Sequence, residues 1–409
     1  MIPLLKLALV FAGIVLLLTR KWNLGLVLML ASAAIGVLFN YPLLDVLRDA
    51  ATTAVDILTL RLALAVVLVM VLAELLRQTA SLKRMVESLQ ALIPNGHIVI
   101  AALPALVGLL PMVGGAMFSA PMVDVVGDRL GADPERKTFV NYWFRHLWEP
   151  VLPLYPSMML AAALLDLTTL QLASMSWPVS VSAAAGGLLF GLLGLPRHGA
   201  DDSPPPPWGQ SLRSLGTSIW PILLVIILSL LLPIDERFTL ILSLVVTIPL
   251  VMATKRIPLR DLWTICRERV PWKTVLVIFG ALIFRCVLEN SGAVIAVSDA
   301  LTATSIPLPV VAFGLPCIAG LLTGLITAAF SIGFPVILPL VIADGGAIGP
   351  GWVVWLMAGG VVGTMCSPIH LCLALTRVYF KAEWGPIYRR IALAALVITG
   401  TAGALLLLT

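Results

Sequence analysis

Two stretches of 32 residues, 97–128 and 309–340, have the hydrophobicity of a membrane span, are too long for one helix, and are interrupted near their middles. The first interruption reads GLLPMVGGAMFSAP, Gly108 to Pro121, with two prolines, a glycine pair and a serine where a helix should run on. A break inside a bilayer strips backbone N–H and C=O groups of their partners, at a cost of several kcal/mol each. It survives only where protein, water or a bound solute satisfies those groups. Each stretch therefore predicts a re-entrant helical hairpin whose tip belongs to a site. With 60% hydrophobic and 11% charged residues, the rest of the chain is equally committed to lipid. Apolar runs long enough to cross a bilayer fall at about 2–19, 22–40, 60–78, 141–165 and 177–195, then at 214–232, 236–254, 272–290, 353–377 and 389–407. The expected fold class is an all-α polytopic membrane protein with ten crossings and two hairpins.

These boundaries contain a repeat. Adding 212 to those of the first half reproduces those of the second, and Gly108, Leu109, Leu110, Ala116, Phe118, Ser119 and Pro156 recur as Gly320, Leu321, Leu322, Ala328, Phe330, Ser331 and Pro368. The expected division is an N-terminal repeat, 1–195, with hairpin 97–128 and broken helix 141–165; a proline-rich cytoplasmic linker, 196–212; and a C-terminal repeat, 213–409, with hairpin 309–340 and broken helix 353–377. Five crossings per repeat is an odd number, so the second repeat must be inverted relative to the first. Placing the segments after the first, third, fifth, seventh and ninth crossings, and the one between the first hairpin and the fourth crossing, in the cytoplasm collects 21 of the 26 Lys and Arg there, leaving Lys6, Arg48, Arg61, Arg237 and Arg285. Both termini then face outside. The basic excess thus speaks to topology, not to nucleic acid. The basic pair Arg20 and Lys21 follows the first apolar run rather than preceding it, so that run is read as a mature helix and not a signal peptide.

Four breaks are expected to converge at mid-depth, with residues 113–119 and 323–331 meeting there. They are the hairpin tips Val113–Ser119 and Thr323–Ser331, the run EPVLPLYPS from Glu149 to Ser157, and GTMCSPIH from Gly363 to His370. Half-helix N-termini suit anions, and unwound carbonyls suit a coupling cation. The candidate solute contacts are Gly115, Ser119, Tyr155, Ser157, Thr327, Ser331, Ser367 and His370; a sodium ion is assigned to oxygens near Gly114, Ser119, Pro153, Thr327, Ser331 and Thr364. Ser367 followed by Pro368 reads as the cap and first residue of a new half-helix. His370 is the one histidine placed at mid-depth, either as a ligand or proton carrier or as a packing residue. Glu149 is the second possible proton carrier, with an i,i+4 pair to Arg145 as its plainer reading. Glu74 with Arg77 and Arg285 with Glu289 read as interfacial ion pairs. The segments 42–58 and 81–93 are amphipathic and suit helices lying against membrane lipid. Gly187 and Gly191 offer a close helix contact, within the chain or across a dimer. The five cysteines show no CxxC or Cys/His ligand spacing, so a reduced and metal-free structure is expected.

A hairpin, a broken helix and their inverted copy, with the runs PMVGGAMFSAP and NYWFRHLWEPVLPLYPS, resemble the ion transporter superfamily, and most closely a ten-helix prokaryotic branch of it. The resemblance implies a homodimer in a bacterial or archaeal inner membrane whose transport domain moves against a fixed scaffold. In the sodium/divalent-anion symporters of that superfamily a Ser-Asn-Thr signature marks each tip; here the tips read Gly114-Gly115-Ala116 to Ser119 and Thr327-Ala328-Ala329 to Ser331. The leading functional reading is sodium-coupled secondary transport of a small organic anion of carboxylate type, not an enzyme. A sodium/proton antiporter or proton-coupled carrier is the alternative, although neither tip offers a carboxylate. A membrane-embedded hydrolase is remote, since no G-x-S-x-G or H-E-x-x-H is present, and neither is a P-loop for ATP-driven transport.

Overall fold

The fold comes from a computed structural model, which describes residues 2–79, 81–93, 95–112, 115–195, 208–232, 236–302, 306–342 and 348–409. Among the described residues there are twenty α-helices and no strand. In the first half, α1 (Ile2–Thr19) and α2 (Leu24–Leu38) lead to the amphipathic α3 (Leu43–Val55), the long α4 (Ile57–Gln78) and a second amphipathic helix, α5 (Ser81–Leu92). Then come the hairpin α6 (Gly96–Val107) and α7 (Ala116–Arg129), the broken helix α8 (Pro134–Arg145) and α9 (Pro156–Leu164), and α10 (Thr169–Gly187), which runs into a π-helical turn over Leu188–Leu192.

The second half repeats that order element by element. It comprises α11 (Trp208–Leu231), α12 (Glu236–Lys255), the short α13 (Leu259–Thr264), α14 (Trp272–Asn290), α15 (Ala293–Thr302), the hairpin α16 (Leu308–Thr323) and α17 (Ile326–Val341), the broken helix α18 (Pro350–Met365) and α19 (Leu371–Phe380), and α20 (Trp384–Leu408). Residues 196–207, the greater part of the expected linker, lie outside the described residues.

Local sequence explains where these helices start. The Asn23 side chain accepts from Gly25 and Leu26 N–H to cap α2, Asp56 caps α4, and Asp133 caps α8 with Pro134 in its first turn. Thr168 and Gln171 form a capping box on α10. These caps move one expected boundary: α8 begins at Pro134, seven residues before the hydropathy boundary at 141, because Asp-Pro caps the helix while the following PERKTFV lowers the hydropathy. The first break consequently spans residues 146–155.

Six helices among the described residues are long and apolar enough to cross a bilayer unbroken: α1, α4, α10 with its π-turn, α11, α12 and α20. The remaining expected crossings differ in form. α2 has only 15 residues. Leu259–Arg269 and α14 form one apolar unit bent by 58°. The crossings expected at 141–165 and 353–377 are pairs of short helices. The apolar belt left on the outside, together with these helices, makes the chain a multi-pass membrane protein.

The halves are interlocked. α2 packs on α14 and α12 on α4; α1 packs on α15 and α11 on α5; α9 packs on α17 and α19 on α7. The α2–α14 crossing is tightest, since a Cβ on Gly25 would meet the Leu276 backbone and one on Gly280 would meet the Gly25 backbone. Small residues at both positions let the two backbones touch. Gly187 and Gly191 instead make room inside the chain for the side chains of Trp143 and Phe139. The expected interfacial pairs form: Arg77 meets Glu74 at 2.6 Å and Arg285 meets Glu289 at 2.9 Å.

Candidate functional site

The first hairpin turns between α6 and α7 and the second at Gly324–Leu325, while the broken helices open at 146–155 and 366–370. A continuous polar chain joins all four. Arg145 Nη2 donates to the Met112 carbonyl of the first tip at 2.6 Å, and Nη1 points to His146 Nε2 at 3.5 Å. His146 Nε2 lies 3.0 Å from His370 Nε2, and His370 Nδ1 lies 2.7 Å from the Gly324 carbonyl of the second tip. Gly324 adopts φ +66°, and a Cβ there would also meet the His370 backbone, so only glycine suits this turn. Tyr142 flanks both imidazoles, with ring centroids at 4.8 and 5.2 Å, and its hydroxyl donates to the Met365 carbonyl.

Arg145 is the chemically decisive member. It ends α8 deep inside the protein, 2% exposed, and its Nε has no partner. The expected Arg145–Glu149 pair does not form. The helix stops at Arg145, so position 149 is not one turn further along the same face, and Glu149 instead lies 3.9 Å from His146 Nε2. Gly115 lies directly against the guanidinium. Four helices (α7, α9, α17 and α19) start at these tips and breaks, and each N-terminus carries partial positive charge.

The other expected site residues divide by what they touch. Ser119 is fully buried; its hydroxyl donates to Asn141 Oδ1 at 2.6 Å, while Asn141 Nδ2 donates to the Ala116 carbonyl at 2.8 Å and toward Thr376 Oγ1 at 3.3 Å. Ser157 Oγ and Thr364 Oγ1 are buried without a partner, and Pro153 lies within the first break. Ser331 is buried with a single long contact to the Ala328 carbonyl, and Thr327 is half-buried on the first turn of α17. Tyr155 is committed to the Gly108 carbonyl and Ser367 to the Leu321 carbonyl, so both brace a hairpin against a broken helix. Gly114 and Val113 lie outside the described residues.

Two expectations are corrected. Ser367 and Pro368 do not start the half-helix: two successive turns, Ser367 N to the Thr364 carbonyl and His370 N to the Ser367 carbonyl, carry the chain on, and α19 begins at Leu371 with His370 in the cap position. Nor is His370 the one interior histidine. His146 lies against it, and Cys372 completes a group whose ligand atoms all lie within 4.8 Å of one another, where no Cys/His grouping was expected. The local signal was Arg145-His146 inside an apolar run; the partner residues lie more than two hundred positions away. Asn141, His146, Cys372 and Thr376 are the members the sequence reading passed over, and Arg145 it read only as a pair for Glu149.

The fold has a solved counterpart. The Alcanivorax borkumensis YdaH transporter, whose crystal structure is described as showing an unusual topology, superposes with a TM-score of 0.63 at 15% identity, covering 96% of this chain and 97% of that one. The present chain therefore has a membrane-transporter fold. No curated protein matches its sequence. The profile of one family, described as a protein of unknown function and designated DUF401, matches residues 4–409, and the chain belongs to that family.

Proposed function

We propose that the protein is an ion-coupled secondary transporter of a small organic anion, of carboxylate type, built as two inverted repeats of the kind found in the ion transporter superfamily. The observation that carries this reading is Arg145, a guanidinium buried at the meeting point of two hairpin tips and two helix breaks with its Nε unpartnered. Arg145 has no hydrogen-bonded carboxylate, Glu149 standing instead beside His146, and a buried guanidinium left so is costly. A bound carboxylate would supply the missing acceptors, assisted by the Ser157 hydroxyl and the half-helix N-termini.

Sodium is the proposed coupling ion, and the two halves are unequal candidates for it. Ser119, Asn141 Oδ1, the Ala116 carbonyl and Thr376 Oγ1 form a buried oxygen cluster. In the second half Ser331 faces only the Ala328 carbonyl, with Val353 at the position 212 residues after Asn141. The oxygen-rich first site is therefore assigned the ion. Sodium should raise the melting temperature of the purified protein with the logarithm of its concentration once saturating, and potassium or choline should not. Ser119→Ala should remove most of that shift and Ser331→Ala little of it. A small-carboxylate thermal-shift screen with and without sodium then identifies the solute. Stabilisation indifferent to sodium and to Ser119, with uptake steeply dependent on pH, would replace this reading by a proton-coupled carrier.

The basic-residue partition supports a topology with both termini outside, in the inner membrane, and elevator-type movement of one part of a homodimer is the transport mechanism proposed with it. Arg145 itself no longer counts as a loop charge. Single cysteines placed at each end should react with an impermeant maleimide in intact cells; protection of either end would overturn this topology.

A further inference from the structure

We propose that His146, His370 and Cys372 form a binding site for a soft monovalent d10 cation, copper(I) in the first instance. The inference is independent of the transport reading.

The geometry begins with the two imidazoles. His146 Nδ1 lies 2.7 Å from the Tyr142 carbonyl, and His370 Nδ1 lies 2.7 Å from the Gly324 carbonyl. A carbonyl only accepts, so both Nδ1 atoms carry the proton, and both Nε2 atoms present a lone pair. Those lone pairs face each other at 3.0 Å. Two acceptors that close repel unless a cation or a shared proton lies between them. The Arg145 guanidinium, directed at His146 Nε2 from 3.5 Å, reaches it too weakly to fill that role. Cys372 brings a sulfur to the same point, with the three donor atoms within 4.8 Å of one another. Backbone carbonyls holding the second nitrogen of each histidine are the outer-shell arrangement that fixes metal-ligating imidazoles.

Donor type and charge select the ion. Two imidazoles and one sulfur in a trigonal set suit copper. Arg145 and Glu149 are the formal charges beside the donors, opposite in sign, with Glu149 3.9 Å from His146 Nε2. Binding exchanges the Cys372 thiol proton, released to solvent, for the metal ion as the S–H bond is replaced by S–Cu. A monovalent ion leaves the charge of this buried pocket unchanged, whereas zinc(II) adds a full positive charge beside Arg145, a costly change in a dry interior. Because His146 is on the first broken helix and His370 and Cys372 are on the second, the ion would clamp the two breaks together.

The test is an anaerobic titration of the purified, reduced protein with copper(I) held by a chromophoric chelator, followed by X-ray absorption at the copper edge. One equivalent should transfer, with two nitrogen neighbours and one sulfur neighbour. Cys372→Ser, His146→Gln and His370→Gln should each weaken retention by at least about tenfold, while Cys366→Ser should retain copper as the parent does. Copper should raise the melting temperature of the parent and not of Cys372→Ser, which separates lost binding from lost folding. Transfer of no copper, equal retention by Cys372→Ser, or an all-sulfur shell would overturn the site. Zinc(II) binding as tightly through the same three residues would overturn the monovalent assignment.

Discussion

Replacing Arg145 by Ala should reduce solute affinity by about 30-fold or more, because leaving a buried charge partner unmatched costs roughly 2–5 kcal/mol. The affinity is that for the carboxylate the screen identifies, measured as uptake into proteoliposomes and as thermal shift in detergent. Arg145 also holds the first hairpin tip through the Met112 carbonyl, so some loosening of that tip is built into the Ala variant. Arg145→Lys separates the two effects. It keeps the charge and loses the planar fork, and should give an intermediate affinity if bidentate recognition matters. Solute affinity unchanged in Arg145→Ala would remove this residue, and with it the main support for an anionic substrate.

The second large effect is on folding. Gly280→Leu should destabilise the protein by about 1–3 kcal/mol or more, since overpacking costs that much where side chains can yield, and here the obstacle is the Gly25 backbone. Lower melting temperature and loss of a monodisperse peak in size exclusion are the expected readouts. Gly314 supplies the control: on α16 it has nothing within 4 Å of a Cβ, and Gly314→Leu should behave as the parent. A Gly280→Leu protein as stable as the parent would mean that α2 and α14 do not cross at these residues.

The sequence signals that proved readable are those in which a residue type has few ways to be satisfied. Glycine and proline inside apolar stretches located both hairpins and both broken helices, because breaks in lipid have to be accounted for locally. The amphipathic segments 42–58 and 81–93 became α3 and α5 for the same reason. What escaped was register between distant segments. His146 and His370 are 224 residues apart, and no local pattern places their Nε2 atoms together. The depth of Arg145 was also misjudged, because hydropathy started the helix at 141, while Asp133 and Pro134, a cap signal equally visible in the sequence, start it earlier and carry Arg145 to its buried end. Ser367-Pro368 shows the reverse error: a good capping pair was overruled by the Leu321 carbonyl, which takes the serine hydroxyl.

The exchange of helices between the halves bears on how this protein is made. Asn23, at the start of α2, donates to the carbonyl of Lys273, 250 residues later in the chain. During synthesis α2 is therefore laid into the membrane long before α14 exists, and its glycine face has no lasting neighbour in the meantime. Contacts so distant in sequence are slow to form, and an early-made helix with an open face is open to wrong partners while it waits. The first half is thus an unfinished surface until the second is nearly complete. Its assembly is set by the pace and order of translation as much as by the stability of the finished structure.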